Sequence, residues 1–273
     1  MNDRLGVPET GMLAHRTLPA LMAPAQLLPG RSRDVDALLA WGRRPSARRV
    51  ERLAQRRGLP VWHLEDGLLR SLAKGRRHPP LCLLVDDLGV HFDATAPSRL
   101  EQRIAASLSA EQRDRARAVQ LLWCTQRLSK LNPPRESPAP EQPFVLVVDQ
   151  SAGDLSIPLG LAGPQSFQQM LRAALADHPD CTVVVKVHPD VIQGRARGHF
   201  SPDALQHPRI RLCADGGHPA ALLERAEAVY VVTSQMGFEA LLWGRPVHCF
   251  GMPFYAGWGL TQDRLRPPER RTA

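Results

Sequence analysis

Residues 132–143 read NPPRESPAPEQP, with five prolines in twelve positions. A proline has no backbone N–H and a fixed φ, so such a run can neither propagate a helix nor fill a central strand. It is a linker. It divides the 273-residue chain into an N-terminal domain, 1–131, and a C-terminal domain, 144–273, each long enough to bury its own core. With 43% hydrophobic and 23% charged residues, the composition is that of a soluble globular protein.

After the linker, apolar runs alternate with amphipathic segments. Residues 144–148 are short and apolar, as a strand buried on both faces must be, and further strands are predicted at 182–187, 210–213, 229–232 and 247–250. Phe167, Met170, Leu171, Ala174 and Leu175 recur at helical spacing within 166–176. Further helices are predicted at 219–228 and 235–243. Before the linker, strands are predicted at 35–41, 61–64 and 81–85, the last with 90–92 as a hairpin partner. A helix is predicted at 45–57, stopped by Gly58-Leu59-Pro60, and 97–130 reads as largely helical. The first 30 residues show no clean period. Repeated strand–helix alternation predicts an α/β fold of two Rossmann-like domains facing a cleft, each with a mostly parallel sheet.

The net charge is +8, much of it from Arg43, Arg44, Arg48, Arg49, Arg52, Arg56 and Arg57. Such a run is either a solvated helix face or a surface for anionic lipid, and the sequence weighs the two equally. The five dispersed cysteines fit neither a disulfide framework nor a zinc knuckle, and they read as buried thiols. There is no signal-peptide pattern and no 18-residue apolar run, so a cytosolic protein is expected. No P-loop, dinucleotide fingerprint, metal-ligand cluster or nucleic-acid signature is present.

In open parallel sheets ligands gather beyond the carboxyl ends of the strands. Asp149, Gln150, Ser151 and Asp154 follow 144–148. His188, Pro189 and Asp190 follow 182–187, with Lys186 on the same face as His188. Thr233, Ser234 and Gln235 follow 229–232, and Glu65 and Asp66 follow 61–64. Two hydroxyls at a helix start make a metal-free phosphate site, and Glu239, a turn further in, is placed for ribose hydroxyls. The same residues also suit an N-cap and an exposed helix position, but the Gly-Arg-Pro and strand that follow favour the nucleotide reading. Asp149 and Asp154 are candidates for a carboxylate that performs chemistry, and spacing alone does not separate them. Of two His-Pro-Asp tripeptides, the one at 178–180 reads as a turn and the one at 188–190 as functional. Phe254, Tyr255 and Trp258, set among glycines at 251–263, form either a stacking loop or a hydrophobic plug.

Several stretches closely resemble the KpsC/LipA family of capsular polysaccharide biosynthesis proteins, retaining β-Kdo glycosyltransferases. They are AWGRRPSA from Ala40, LEDGLLRS from Leu64, LVDDLGVHFDATAPSRLE from Leu84 and VLVVDQSAGDLSI from Val145. KVHPDVIQGRARGH from Lys186 and VTSQMGFEALLWGRPVHCFGMPFYAGWGLTQD from Val232 complete the set. The family's Ser-Lys-Tyr-Asn stands here as Ser129-Lys130-Leu131-Asn132.

The resemblance implies a GT-B-like fold and a CMP-β-Kdo donor used without a metal or other cofactor. Its implied acceptor is a phosphatidylglycerol-type lipid at the inner membrane surface. It implies Asp154, then Asp149, as the nucleophile, His188 against the departing phosphate, Thr233 and Ser234 as phosphate ligands and Glu239 on the ribose. Lys186, Pro189 and Gln235 join the donor site. Glu65 or Asp66 becomes the acid/base facing the acceptor, with Arg70, Ser71, Gln150, Tyr255 and Trp258 as substrate-binding residues. It further implies a peripheral place on the inner face of the inner membrane, with other capsule assembly proteins as partners and no nucleic acid. This chain carries one module where larger members carry two, and its C-terminal end is short beside the family's. The other readings are a GT-B transferase with another nucleotide sugar and a non-catalytic binding subunit.

Overall fold

The structure, a computed structural model, describes residues 3–13, 15–73, 75 and 77–271. The chain forms two compact units, Met1–Ile104 with Lys130–Asn132, and Ala105–Ser129 with Pro133–Ala273. Both are built on twisted sheets of the kind the alternation predicts.

In the first unit the elements run β1 (Arg4–Val7), α1 (Thr10–Leu13), α2 (Leu18–Met22), β2 (Gln26–Pro29), β3 (Ala37–Trp41), α3 (Pro45–Arg57), β4 (Val61–Asp66), β5 (Leu83–Asp86) and α4 (Arg99–Ala105). The sheet order is β2-β1-β3-β4-β5, parallel except for β5. Four of these elements fall in the first 30 residues, where the sequence shows no clean period because the strands are four residues long. The segment at 81–85 pairs antiparallel with β4, not with 90–92, which are not a strand. That pairing extends β4 to Asp66. Glu65 and Asp66 are therefore its last two strand residues, opposite Leu84 and Leu83, and not a loop beyond it.

Helix α3 shows how local chemistry sets an element. Pro45 stands in its first turn, where a missing N–H costs nothing. Ala47, Val50 and Ala54 are buried against Leu38 and Ala40 of β3. Arg48, Arg49, Arg52 and Arg56 are exposed, while Arg43 pairs with Glu51 and Arg57 donates to the carbonyls of Gly30 and Ser32. The helix ends at Gly58 in the left-handed region, φ +63°, with the Leu59 N–H donating back to the Ala54 carbonyl.

In the second unit follow α5 (Ala110–Thr125), β6 (Phe144–Val148), α6 (Ser156–Leu159), α7 (Pro164–Asp177), β7 (Thr182–Lys186), α8 (Pro189–Ile192), β8 (Ile210–Cys213), α9 (Ala220–Arg225), β9 (Val229–Val231), α10 (Met236–Leu242), β10 (Val247–Cys249) and β11 (Gln262–Asp263). Its six strands lie in the order β11-β10-β9-β6-β7-β8, all parallel. Val145, Val147, Phe167, Met170 and Tyr230 are central to its core. Helix α5 opens with a reciprocal capping box between Ser109 and Gln112. It belongs to this unit although it precedes the linker. Gln120 and Cys124 both donate to the Leu242 carbonyl at the end of α10.

All five cysteines are free; Cys213 and Cys249 are buried and the other three half-buried. Among the described residues no helix is long and apolar enough to cross a membrane. Gly58→Ala places a Cβ in a left-handed conformation and should cost about 1 kcal/mol. Chemical denaturation reads this, and an unchanged midpoint would show that the cap does not hold α3.

Candidate active site

Strands β6 and β9 are neighbours in the second sheet, so the residues beyond their ends meet. The Gln150 Oε1 accepts from the Thr233 N–H at 2.9 Å, and its Nε2 donates to Thr233 Oγ1 at 3.0 Å. Ser156 Oγ lies 3.0 Å from the same hydroxyl. Gln150 and Thr233 are buried, so one side-chain amide satisfies a backbone donor and a hydroxyl that would otherwise be stranded. Gln150 is thus the tie between two loops and not an open substrate ligand.

His188 is held from the other side. Its Nδ1 lies 2.9 Å from Ser151 Oγ and accepts from the Asp190 N–H at 3.1 Å. A backbone amide can only donate, so the neutral ring carries its hydrogen on Nε2, the form that donates to an anion. Pro189 opens α8, and its side chain lies outside the described residues.

The two aspartates separate by environment. Asp149 is buried, and its Oδ1 accepts from the N–H groups of Gln150 at 2.9 Å and His199 at 3.1 Å. Burial pushes its carboxyl above the ordinary range, against those two bonds. A Cβ at Gly198 would collide with its Oδ2, so Asp149 clasps the 198–199 segment to the end of β6. Asp154 is exposed, with Oδ1 accepting from the Ser156 N–H at 2.9 Å.

At the start of α10 the Ser234 Oγ accepts from the Met236 N–H at 3.3 Å, while the Ser234 N–H has no acceptor among the described residues. The Ser234 carbonyl accepts from the Tyr255 hydroxyl at 2.5 Å. Tyr255 is buried, which drives its ionisation well above the usual tyrosine value, and Phe238 and Phe254 pack around it. Trp258 is half-buried and donates from Nε1 to the Phe254 carbonyl at 2.9 Å. The aromatic loop is therefore a plug that supports Ser234, and Tyr255 is a positioning residue rather than a stacking surface. Glu239 is 2% exposed; Ser129 donates to its Oε2 at 2.6 Å and Gln235 to its Oε1 at 3.2 Å.

Lys186 stands elsewhere. Its buried ammonium donates to Ser137 Oγ at 2.8 Å, the Gly217 carbonyl at 3.1 Å and Cys213 Sγ at 3.7 Å. Those three bonds use its three hydrogens, so it braces the linker and the end of β8 and does not join His188.

In the first unit Glu65 lies against Gly42, where a Cβ would fall on its carboxylate. Burial pushes the Glu65 carboxyl up to about 7; Lys130 and Arg44 oppose the shift and Asp66 adds to it. Asp66 instead pairs with Arg70 at 2.8 Å. The Arg70 guanidinium also donates to Ser71 Oγ at 2.7 Å and to the carbonyls of Ala73 and His78, both at 3.0 Å. Asp66, Arg70 and Ser71 thus organise the loop after β4. The contributions of Ser129, Ser156, His199 and Lys130 go beyond the motif reading, although all four stand in stretches that resemble the family. Among the described residues no group of three or more His, Cys, Asp or Glu is placed to hold a metal ion.

A family model described as capsule polysaccharide biosynthesis protein matches residues 36–122 and 113–272. The chain belongs to this family. It is 41% identical over 244 residues to the capsule polysaccharide modification protein LipA of Neisseria meningitidis serogroup B, covering 85% of this chain and 34% of LipA. It is 36% identical over 246 residues to the lipopolysaccharide-processing protein LpsZ of Rhizobium meliloti, covering 87% of this chain and 55% of LpsZ. It therefore spans only about a third to a half of the length of these curated relatives. Among solved structures, Thermosulfurimonas dismutans KpsC, described as a beta Kdo 2,4 transferase, matches with TM-score 0.90 and 36% identity. That match covers all of this chain and 87% of the other. A second KpsC chain, described as a beta Kdo 2,7 transferase, matches with TM-score 0.70 and 26% identity over 99% of this chain and 86% of that one. The fold is thus α/β and GT-B-like.

The raised Glu65 carboxyl has a consequence for stability. Its protonated form is favoured by the fold, so its contribution is complete below the ordinary value of 4.5 and lost as the pH rises through about 7. Glu65→Gln should therefore raise the melting temperature at pH 8 relative to the parent and leave it nearly unchanged at pH 4. Equal shifts at both pH values would contradict the assignment.

Proposed function

We propose that the chain is a retaining glycosyltransferase that moves Kdo from CMP-β-Kdo to a phosphatidylglycerol-type lipid, with Asp154 as the nucleophile. The observation that carries this reading is the accessible Asp154 carboxylate on a loop that Gln150 ties to the Thr233–Ser234 strand end, with His188 held beside it. The solved relatives described as Kdo transferases support the sugar.

In the first step an Asp154 oxygen bonds to the anomeric carbon as the bond from that carbon to the CMP phosphate oxygen breaks. The electron pair leaves with the phosphate, which is met by the His188 Nε2–H, the Ser234 N–H and the hydroxyls of Thr233 and Ser234. Glu239, with Gln235, supports the ribose end. In the second step an acceptor hydroxyl loses its proton to a base, its oxygen bonds to the anomeric carbon and Asp154 is released. Two inversions return the β configuration. The Glu65 carboxyl, which burial pushes up to about 7, has the proton affinity that such a base needs, since it accepts and returns a proton near neutral pH. The net positive charge suits work on an anionic lipid at the inner face of the inner membrane, beside other capsule assembly proteins.

Intact-mass spectrometry of the chain incubated with CMP-Kdo tests this. One Kdo should add to the protein, and peptide mapping should place it on Asp154. Asp154→Ala should abolish the adduct and lower turnover by at least about 10³-fold. Neither adduct nor lipid product from the parent chain, or an adduct on Asp149, would overturn the reading.

A further inference from the structure

Helix α3 carries an arginine row that no step of the mechanism uses. Arg48, Arg52 and Arg56 are exposed and recur every fourth residue, so they lie along one face of the helix over about 12 Å. Arg49 stands beside the row and is exposed as well. A solvated helix face ordinarily sets acids among its bases, and like charges four residues apart repel. The one acid of α3, Glu51, is half-buried and taken by Arg43 at 2.9 Å. None of the four exposed arginines holds an ion pair among the described residues.

A second segment brings more charge to the same helix. Arg57 donates to the carbonyls of Gly30 at 2.8 Å and Ser32 at 2.5 Å, which fixes the loop after β2 to the C-terminal end of α3. Arg31 and Arg33 of that loop are exposed and hold no ion pair among the described residues. The acids that follow them are drawn away. Arg4 of β1 pairs with both Asp34 and Asp36, and its N–H donates to Asp36 at 2.7 Å. Positive charge from two stretches of sequence therefore gathers on α3 while these nearby carboxylates are already neutralised. Glu9 is the exception: it lines a cavity of about 470 Å³ with Ser46, Arg49 and Leu53 and has no ion pair among the described residues. It tempers Arg49 and leaves the row of three.

We propose that the outer face of α3 is the surface by which the first unit meets an anionic phospholipid bilayer, with Arg48, Arg52 and Arg56 lying along the headgroup phosphates. Guanidinium forks match phosphate oxygens, and each cation near a charged bilayer adds to the attraction, so a row of them acts together. A straight ridge meets a flat charged plane along its whole length. Neither α3 nor the 30–33 loop has an aromatic side chain on which a nucleic-acid base could stack. The inference deepens the proposed function and rests on it for the choice of lipid, but the binding itself needs neither donor nor turnover.

Co-sedimentation of the full chain with vesicles tests this. Vesicles of about 30% phosphatidylglycerol in phosphatidylcholine are compared with pure phosphatidylcholine. The parent chain should bind the first and not the second, and should be released as salt is raised to about 0.5 M. The triple variant Arg48→Gln, Arg52→Gln, Arg56→Gln should weaken binding by about 10²-fold. Glutamine keeps the helix and relieves the repulsion, so the melting temperature should not fall. The triple variant Arg113→Gln, Arg115→Gln, Arg117→Gln removes the same charge from exposed positions of α5 and should bind as the parent does. Equal loss in the two variants, parental binding by the α3 variant, or equal sedimentation with both vesicle types would overturn the surface. Capture of random-sequence RNA without binding to phosphatidylglycerol would overturn it too. A Kdo adduct on a chain that ignores vesicles counts against the ridge alone, and vesicle binding without an adduct counts against the donor chemistry alone.

Discussion

The Gln150 side chain is the interaction on which the second unit's site depends. It lies where β6 and β9 end side by side, and there it must satisfy both the N–H and the hydroxyl of Thr233. An amide offers a donor and an acceptor on separate atoms of one neutral group; a carboxylate would lack the donor and an ammonium the acceptor. Leaving either buried partner unpaired costs about 1–3 kcal/mol, so the tie is stiff. Ser151 to Asp154 follow it on one side and Ser234 on the other, and His188 is joined through Ser151. The Tyr255 hydroxyl then holds Ser234 from behind. Gly237 permits this approach, since a Cβ there would strike the tyrosine.

Three carboxylates in similar sequence settings acquire different roles from their surroundings. Asp149 is buried under two backbone N–H groups and serves geometry. Asp154 is exposed and free to meet an electrophile. Glu65 is desolvated, with Lys130 and Arg44 near enough to moderate the shift, and it is poised for proton transfer near neutral pH. Lys186 is likewise decided by its surroundings, because three acceptors surround its ammonium and hold it to the linker and the end of β8.

Strand β6 is legible because a strand covered on both faces must be continuously apolar, and 144–148 is buried at every position. The edge strand β8 keeps the expected bounds 210–213 although Arg211 and Leu212 are exposed. Helix α3 was legible because Pro45 and Gly58 mark its ends chemically. The N-terminal strands were not, since four residues carry too few alternations to establish a period. The sequence places Glu65 and Asp66 beyond β4, whereas the pairing that extends the strand comes from β5, about twenty residues later. Candidate residues were legible wherever strand ends deliver them. Whether such a residue faces a ligand or another residue depends on partners remote in sequence, such as Ser137 for Lys186. Helix α5 shows the same limit, since its unit is decided by Leu242 and not by the side of the linker on which it lies.

The central claim is that the strand ends tied by Gln150 hold the donor nucleotide. A crystal structure of the chain with CMP tests it most directly. The account predicts the phosphate within hydrogen-bond distance of the Ser234 N–H and His188 Nε2, with Glu239 toward the ribose. CMP bound in the first unit, or on the second unit away from Ser151, His188 and Ser234, would contradict it.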